Sequence, residues 1–120
     1  MIPLALPAAS RALWTPAEIT TALWLDAADS STITESGGAV SQWADKSGNA
    51  FHMAQVTDAS KPTVSVAALN AKNTIVFDGS NDFLVNTNSL VTQPFSIFVV
   101  ALGNSPAIDR QYVYDGYANT

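Results

Sequence analysis

Residues 73–85 read Asn-Thr-Ile-Val-Phe-Asp-Gly-Ser-Asn-Asp-Phe-Leu-Val. The residues that flank the central Asp-Gly-Ser-Asn-Asp are mostly β-branched, aromatic or aliphatic, and such side chains suit a pleated, half-buried strand. The five central residues, 78–82, tolerate positive φ or bond their own backbone, so they favour a tight reversal. The pattern therefore predicts a hairpin with strands near 75–77 and 83–85. A lone hairpin is unstable in water, so the flanking chain must supply the rest of a sheet.

Further strand-like segments lie on both sides of this hairpin, each bounded by turn residues. The predicted strands are Leu23–Asp26, a short piece from Ile33, Val40–Trp43, Phe51–Val56, Thr63–Val66, Phe95–Leu102 and Gln111–Tyr114, with turns at Ser36–Gly38 and Asp45–Asn49. Thr63–Val66 alternates like an edge strand. Phe95–Leu102 is the longest apolar run and is expected to be a central strand buried on both faces. Short strands with little helix indicate an all-β fold, an antiparallel β-sandwich.

One short helix is predicted ahead of the strands. Thr15 is a good N-cap, and Glu18 lies where a capping box requires it. Proline suits the first helical position, so we expect a helix from Pro16 to about Thr21. Trp14 and Ile19 occupy the positions of a hydrophobic staple.

Three tryptophans could serve as core residues or as platforms for sugar rings. Trp14, Trp24 and Trp43 each lie inside a pattern typical of burial, so we expect them in the core. Val40 and Trp43 fall on opposite faces of their strand unless a bulge intervenes, and we predict that Trp43 is buried.

The composition excludes several classes of function. The chain has 120 residues, a net charge of −5 and no cysteine, which suits one compact domain without disulfides or thiolate metal sites. Its five basic residues are scattered, so no basic stripe indicates nucleic-acid binding. No apolar run approaches the ~20 residues that cross a bilayer, so we expect no membrane insertion.

Residues 1–13 are predicted to form an extended arm ahead of a sandwich domain at 14–120. Two prolines disfavour helix here, and no basic residues precede the apolar part as they would in a signal peptide. An apolar arm needs a surface, either its own domain or a neighbouring subunit. The candidate partner-binding residues are Ile2, Pro3, Leu4, Leu6 and Pro7.

Catalytic machinery is not evident in the sequence. Most carboxylates lie at turns, where aspartate is common for backbone reasons alone. His52 is the only histidine, and a lone histidine between Phe51 and Met53 is more typical of packing or of the surface than of a general base. We therefore predict that these residues are not an enzyme.

Calcium is the one metal for which the sequence offers ligands. Asp78, Asn81 and Asp82 are the candidate site, and Asp26 with Asp29 is a second cluster of hard oxygen donors. Neither has EF-hand spacing. The alternative is that these side chains cap turns.

Four blocks in order carry a family resemblance. They are Leu23–Ala27, Val40–Asn49, Ile75–Leu84 and Phe95–Ala101. Together they resemble the concanavalin A-like, laminin-G-type jelly roll of tailed-phage structural proteins and of bacterial surface or secreted proteins. The resemblance covers about residues 14 to 115 and implies a jelly-roll sandwich. Domains of that family run longer, so we expect the sandwich to be incomplete here, finished by further chain or by a partner's strand.

The resemblance leaves two functional hypotheses. The first is a structural component of a phage virion, such as a head decoration, neck or tail-fibre protein. It would be attached through the arm to other virion proteins or copies of itself, with host-surface glycan as a further partner. The second is a secreted or cell-surface carbohydrate-binding module, part of a larger glycoside-active protein. Without an export signal, the first hypothesis and a location in the virion are favoured.

Overall fold

The computed structural model describes residues 13–88 and 94–103. These residues form an antiparallel all-β fold without any helix longer than a single 3₁₀ turn. The strands are β1 (Ile33–Ser36), β2 (Ala39–Trp43), β3 (Met53–Ala54), β4 (Thr63–Leu69) and β5 (Lys72–Val76), and the 3₁₀ turns are Pro16–Glu18, Ser30–Thr32 and Asp58–Ser60. The main sheet has the order β1-β2-β4-β5, and β3 pairs with β2.

β1 and β2 form a hairpin closed by Gly37 and Gly38. Both glycines have positive φ, 59° and 89°, as a tight two-residue hairpin turn requires. The Glu35 carboxylate accepts the N–H of Gly38 at 2.5 Å and closes the turn further. The pairing passes from Thr34↔Gln42 to Glu35↔Val40 and so skips one residue of β2. A bulge therefore does interrupt the alternation between Val40 and Trp43.

The second hairpin is β4–β5, and it replaces the one predicted at 73–85. β5 pairs with β4 through Val64↔Ile75 and its neighbours, across a turn at Asn70 and Ala71. Val85 instead bridges Ala54 of β3. A two-residue turn brings β4 to β5 with very little loop to close, which favours this pairing over one across the Asp78–Asp82 loop. β4 consequently lies between β2 and β5, so the prediction of an edge strand was wrong.

β2 is the centre of the sheet. The Val40 N–H donates to the Pro62 carbonyl at 2.8 Å, and the Val64 N–H donates to Gly38 at 2.9 Å. Val40 has no exposed surface and Pro62 is almost completely buried. Among the described residues, Val40 and Pro62 are the only apolar side chains that are completely or almost completely buried. The packed core is therefore small and lies where β2 meets the start of β4.

Three local predictions were wrong within the described residues. Leu23–Asp26 is not in a strand, and the predicted helix is one 3₁₀ turn, Pro16–Glu18. That turn does carry the predicted bond, because the Thr15 N–H donates to the Glu18 carboxylate at 2.9 Å. Phe95–Leu102 is neither in a strand nor buried. A run buried on both faces needs a sheet on each side, and the described chain supplies neither.

None of the three tryptophans is a core residue, so that prediction was wrong, and Trp24 is only partly buried. Trp14 is exposed, as is Ile19, so the predicted staple buries little. Trp43 is only partly buried, although its Nε1 is shielded from solvent without a hydrogen-bond partner in the described part. No helix in that part is long and apolar enough to span a membrane. The arm up to residue 12 and the strand predicted at Gln111–Tyr114 lie outside the described residues.

Candidate functional site

Asp45 gathers the densest set of hydrogen bonds in the described chain. Its buried carboxylate accepts the Trp24 N–H at 2.9 Å and the Phe51 N–H at 3.1 Å. Ser47 adds its N–H at 2.8 Å and its hydroxyl at 2.6 Å. Burial alone would raise the pKa of Asp45, but the donors from Ser47, Trp24 and Phe51 outweigh it and hold the pKa below its usual value. The ionised Asp45 carboxylate therefore links the segment around Trp24 to the loop that runs from Asp45 to Phe51.

Lys46, the next residue, also contacts the segment from Trp24 to Asp29. Its Nζ lies 3.0 Å from Asp26 and 2.9 Å from Asp29, and 4.6 Å from the centre of the Trp24 ring. Its backbone N–H donates to the Trp24 carbonyl at 2.8 Å. The two aspartates raise the pKa of Lys46, Asp29 most strongly. We call Trp24, Asp26, Asp29, Asp45 and Lys46 the junction.

Asp29 also caps the 3₁₀ turn Ser30–Thr32. Its Oδ1 accepts the N–H of Ser31 at 3.2 Å and the Ser31 hydroxyl at 2.6 Å. The Ser31 hydroxyl, followed by Lys46, lowers the pKa of Asp29 to about 2. The cation held by the Asp26 and Asp29 pair is thus the Lys46 ammonium, which occupies the position where a calcium ion was considered.

His52 connects the junction to a shallow groove. Its Nδ1 accepts the Asp45 N–H at 3.0 Å, and its carbonyl accepts the Asn86 side-chain amide at 2.8 Å. The groove has a volume of about 460 Å³. It is lined by Ala50, His52, Ala54, Gln55, Val56, Val85, Asn86, Thr87 and Asn88. Within the described residues, no hydrogen bond is formed by His52 Nε2 or by the side chains of Thr87 and Asn88.

One of the residues that line the groove, Gln55, is buried and hydrogen-bonded through its side-chain amide. Gln55 donates its Nε2 to the Phe83 carbonyl at 3.3 Å and accepts the Thr57 N–H at 2.9 Å. Ala54 and Val85 exchange two backbone bonds of 2.9 Å beside it. Gln55 therefore has a structural role.

The predicted calcium ligands lie together in the 78–82 loop but serve its backbone. Asp78 Oδ1 accepts the N–H groups of Ser80 at 2.8 Å and of Asn81 at 3.1 Å. These bonds, Ser80 first, lower the pKa of Asp78. Asp82 Oδ2 accepts the Asp78 N–H at 3.0 Å, and the Asn81 amide donates to the Ala59 carbonyl. Each side chain thus anchors the loop.

The described side chains form no cluster typical of a metal site. Across residues 13–88 and 94–103, no three His, Cys, Asp or Glu residues are grouped so that they could hold a metal ion. The calcium site at Asp78, Asn81 and Asp82 stays a prediction, because an asparagine and backbone oxygens could complete it. The candidate arm residues, from Ile2 to Pro7, lie outside the described part.

The junction was missed by sequence reasoning, although one signal was present. Asp45-Lys46-Ser47-Gly48-Asn49 was recognised as a turn, and an aspartate followed two positions later by serine is typical of a side chain that bonds its own backbone. Nothing local indicates that Asp45 also binds Trp24. No protein-family model, curated protein or solved structure matches this chain. The function must therefore be inferred from the geometry.

Proposed function

We propose that this chain is a structural component of a phage virion, a concanavalin A-like β-sandwich domain that assembles with other virion proteins or with copies of itself. The observation that carries the proposal is the amount of apolar surface left uncovered around a small core. The exposed large apolar residues on β4, on β5 and on the chain from β5 to residue 85 are Val66, Leu69, Val76, Phe77, Phe83 and Val85. Solvent-exposed surface of this kind is typical of interfaces.

The charge distribution supports an assembly role. Charged residues are 12% of the chain, about half of the ordinary share. A free domain with exposed apolar side chains and few charges is prone to association, whereas a subunit in a particle has that surface covered. The outer edge of β5 in the described sheet would accept another strand, as the jelly-roll proposal requires.

Particle incorporation tests this proposal directly. In immunogold electron microscopy, antibodies raised against the chain should label purified phage particles that are produced by the cells in which the protein occurs. Mass spectrometry of the same particles should find the chain in a fixed ratio to the major capsid protein. Its absence from particles, together with its recovery in the culture medium or at the cell surface, would overturn the virion proposal.

A carbohydrate-binding module is the second candidate, and the groove beside His52 favours it. Its lining combines apolar side chains such as Val56 and Val85 with polar ones such as Thr87 and Asn88, a mixture that suits a hydroxylated ligand. A glycan array tests this, with His52→Ala compared against Asp58→Ala, a change on an exposed side chain outside the groove. Loss of glycan binding in His52→Ala alone would favour a carbohydrate-binding function. If the parent chain binds no glycan, the carbohydrate-binding hypothesis is refuted.

A further inference from the structure

The apolar segment Phe95–Leu102 has two sides that differ in exposure. Phe95, Ile97 and Val99 are 39, 50 and 53% exposed, whereas Phe98, Val100 and Leu102 are 92, 95 and 80% exposed. An alternation with a period of two is that of an extended backbone, in which neighbouring side chains point to opposite sides. One side is therefore partly covered, and the other presents three large apolar side chains. We call Phe98, Val100 and Leu102 the outer row.

The outer row lies in the longest stretch of the chain without an ionisable side chain. No Asp, Glu, Lys, Arg or His occurs between Asp82 and Asp109. The chain as a whole carries a net charge of −5, so most surfaces of two copies repel each other. Two outer rows can therefore meet without desolvating a charge that belongs to this stretch.

We propose that the outer row is a self-association surface that packs face to face against the outer row of a second copy of this chain. This inference rests on the proposed assembly role and names the segment and the partner. A two-fold axis brings identical surfaces together, so Val100 at the centre of one row lies near Val100 of the other, flanked by Phe98 and Leu102. Each row offers on the order of 400 Å² of apolar surface, which corresponds to a small, reversible interface.

Two matched lysine substitutions test the proposal. Val100→Lys places a charge in the outer row, and Val56→Lys places the same charge on a valine that is 90% exposed elsewhere. Both variants change the net charge equally. Sedimentation velocity of the full chain, from about 1 µM to about 200 µM, gives the dissociation constant of the dimer. Leu102→Lys against Leu13→Lys is a second pair, for use if circular dichroism shows that Val100→Lys is misfolded.

We expect the parent chain to dimerise as its concentration rises. Val100→Lys should raise the dissociation constant at least ~10-fold, and Val56→Lys should leave it unchanged. A parent that stays monomeric, or two variants with equal effects, would overturn the proposal. A monomeric parent whose melting temperature falls only in Val100→Lys would show that the chain covers its own outer row. The labelling of phage particles is a separate experiment. If the particles are labelled but the chain stays monomeric, self-association is refuted and the virion proposal is not.

Discussion

The carboxylate of Asp45 accepts the backbone N–H of Trp24 at 2.9 Å, although 21 positions separate the two residues. The Trp24 carbonyl in turn accepts the Lys46 N–H at 2.8 Å. Both backbone groups of Trp24 are therefore paired as they would be in a strand, yet one of the two bonds goes to a side chain. The Asp45 carboxylate thus supplies one of the bonds that attach the segment around Trp24, beside those from Lys46 and from the side chains of Ser47 and Asn49.

Replacing that carboxylate should weaken the fold. In Asp45→Asn, one oxygen becomes an amide that cannot accept the N–H of Phe51 and the hydroxyl of Ser47. We expect a loss of roughly 2–3 kcal/mol in the free energy of unfolding, because buried donors lose a charged acceptor. Urea denaturation followed by tryptophan fluorescence measures it. Asp58→Asn is the control, since Asp58 is exposed and pairs only with Lys61. Equal midpoints in the two variants would refute the role of Asp45.

The same carboxylates predict that stability falls in acid. The pKa of Asp45 is held below its ordinary value in the folded state, and that of Asp29 is lowered to about 2. A carboxyl with a depressed folded pKa stabilises the protein above its unfolded pKa of about 3.9, and this contribution is lost as the pH falls toward the folded pKa. We expect the urea midpoint to decrease between about pH 4 and pH 2, and to decrease less in Asp45→Asn. A pH-independent midpoint in that window would contradict this.

Lys46 should contribute to the low pKa of Asp29 without being its main cause. Removing the ammonium in Lys46→Met should raise the pKa of Asp29, but not to its ordinary value, because the Ser31 hydroxyl is the larger cause of the depression. Carboxyl ¹³C shifts followed by NMR during an acid titration report this pKa. Lys61→Met is the matched control, since Lys61 pairs with Asp58 rather than Asp29. A pKa for Asp29 that is unchanged in Lys46→Met would show that the ion pair is weak in solution.

The sequence identified local elements well because their signals are local. Gly37 and Gly38 require positive φ, and the strands beginning at Ile33 and near Val40 follow from residues on either side of that turn. Partner choice was not predictable in the same way. Residues 73–85 have the composition of a hairpin, yet their two halves pair with β4 and β3. The choice depends on loop closure and on contacts far away in sequence.

The candidate site shows the same division. That Asp45 and Asp78 lie in turns could be read from the neighbouring glycine and serine residues. That Asp45 reaches Trp24, and Lys46 reaches Asp26, depends on how two distant loops are packed. A turn aspartate has the same sequence signature whether it bonds only its own loop or a second segment as well. The groove was missed for a related reason, because the segments around His52 and Asn86 are distant in sequence and are joined by the bridge between Ala54 and Val85 and by side-chain bonds beside it.

The 78–82 loop should depend on its internal caps with or without calcium. Asp78→Ala removes the acceptor for the N–H groups of Ser80 and Asn81, so the melting temperature should fall by the same amount in calcium and in a chelator. Differential scanning fluorimetry in the two buffers measures this. Calcium that raises the melting temperature of the parent, but not that of Asp82→Ala, would instead establish the metal site.

The two hairpin turns should respond in opposite directions to exchange of glycine and alanine. Gly38 has a φ of 89° with nothing within 4 Å of an added Cβ, so Gly38→Ala incurs only backbone strain. Ala71 adopts a φ of 59° with a Cβ already in place. A left-handed conformation costs a Cβ-bearing residue about 1–2 kcal/mol, and the lower entropy of unfolded alanine offsets about 0.4–1 kcal/mol of this.

We therefore expect Gly38→Ala to lower the free energy of unfolding by about 0.5–1 kcal/mol and Ala71→Gly to raise it by a similar amount. Gly103→Ala is the control, because Gly103 has open space around it and no positive φ, so the same substitution carries no strain there. Urea midpoints of the three variants decide the matter. A stabilising Gly38→Ala, or an Ala71→Gly that destabilises, would mean that the turn in question does not adopt the left-handed backbone in solution.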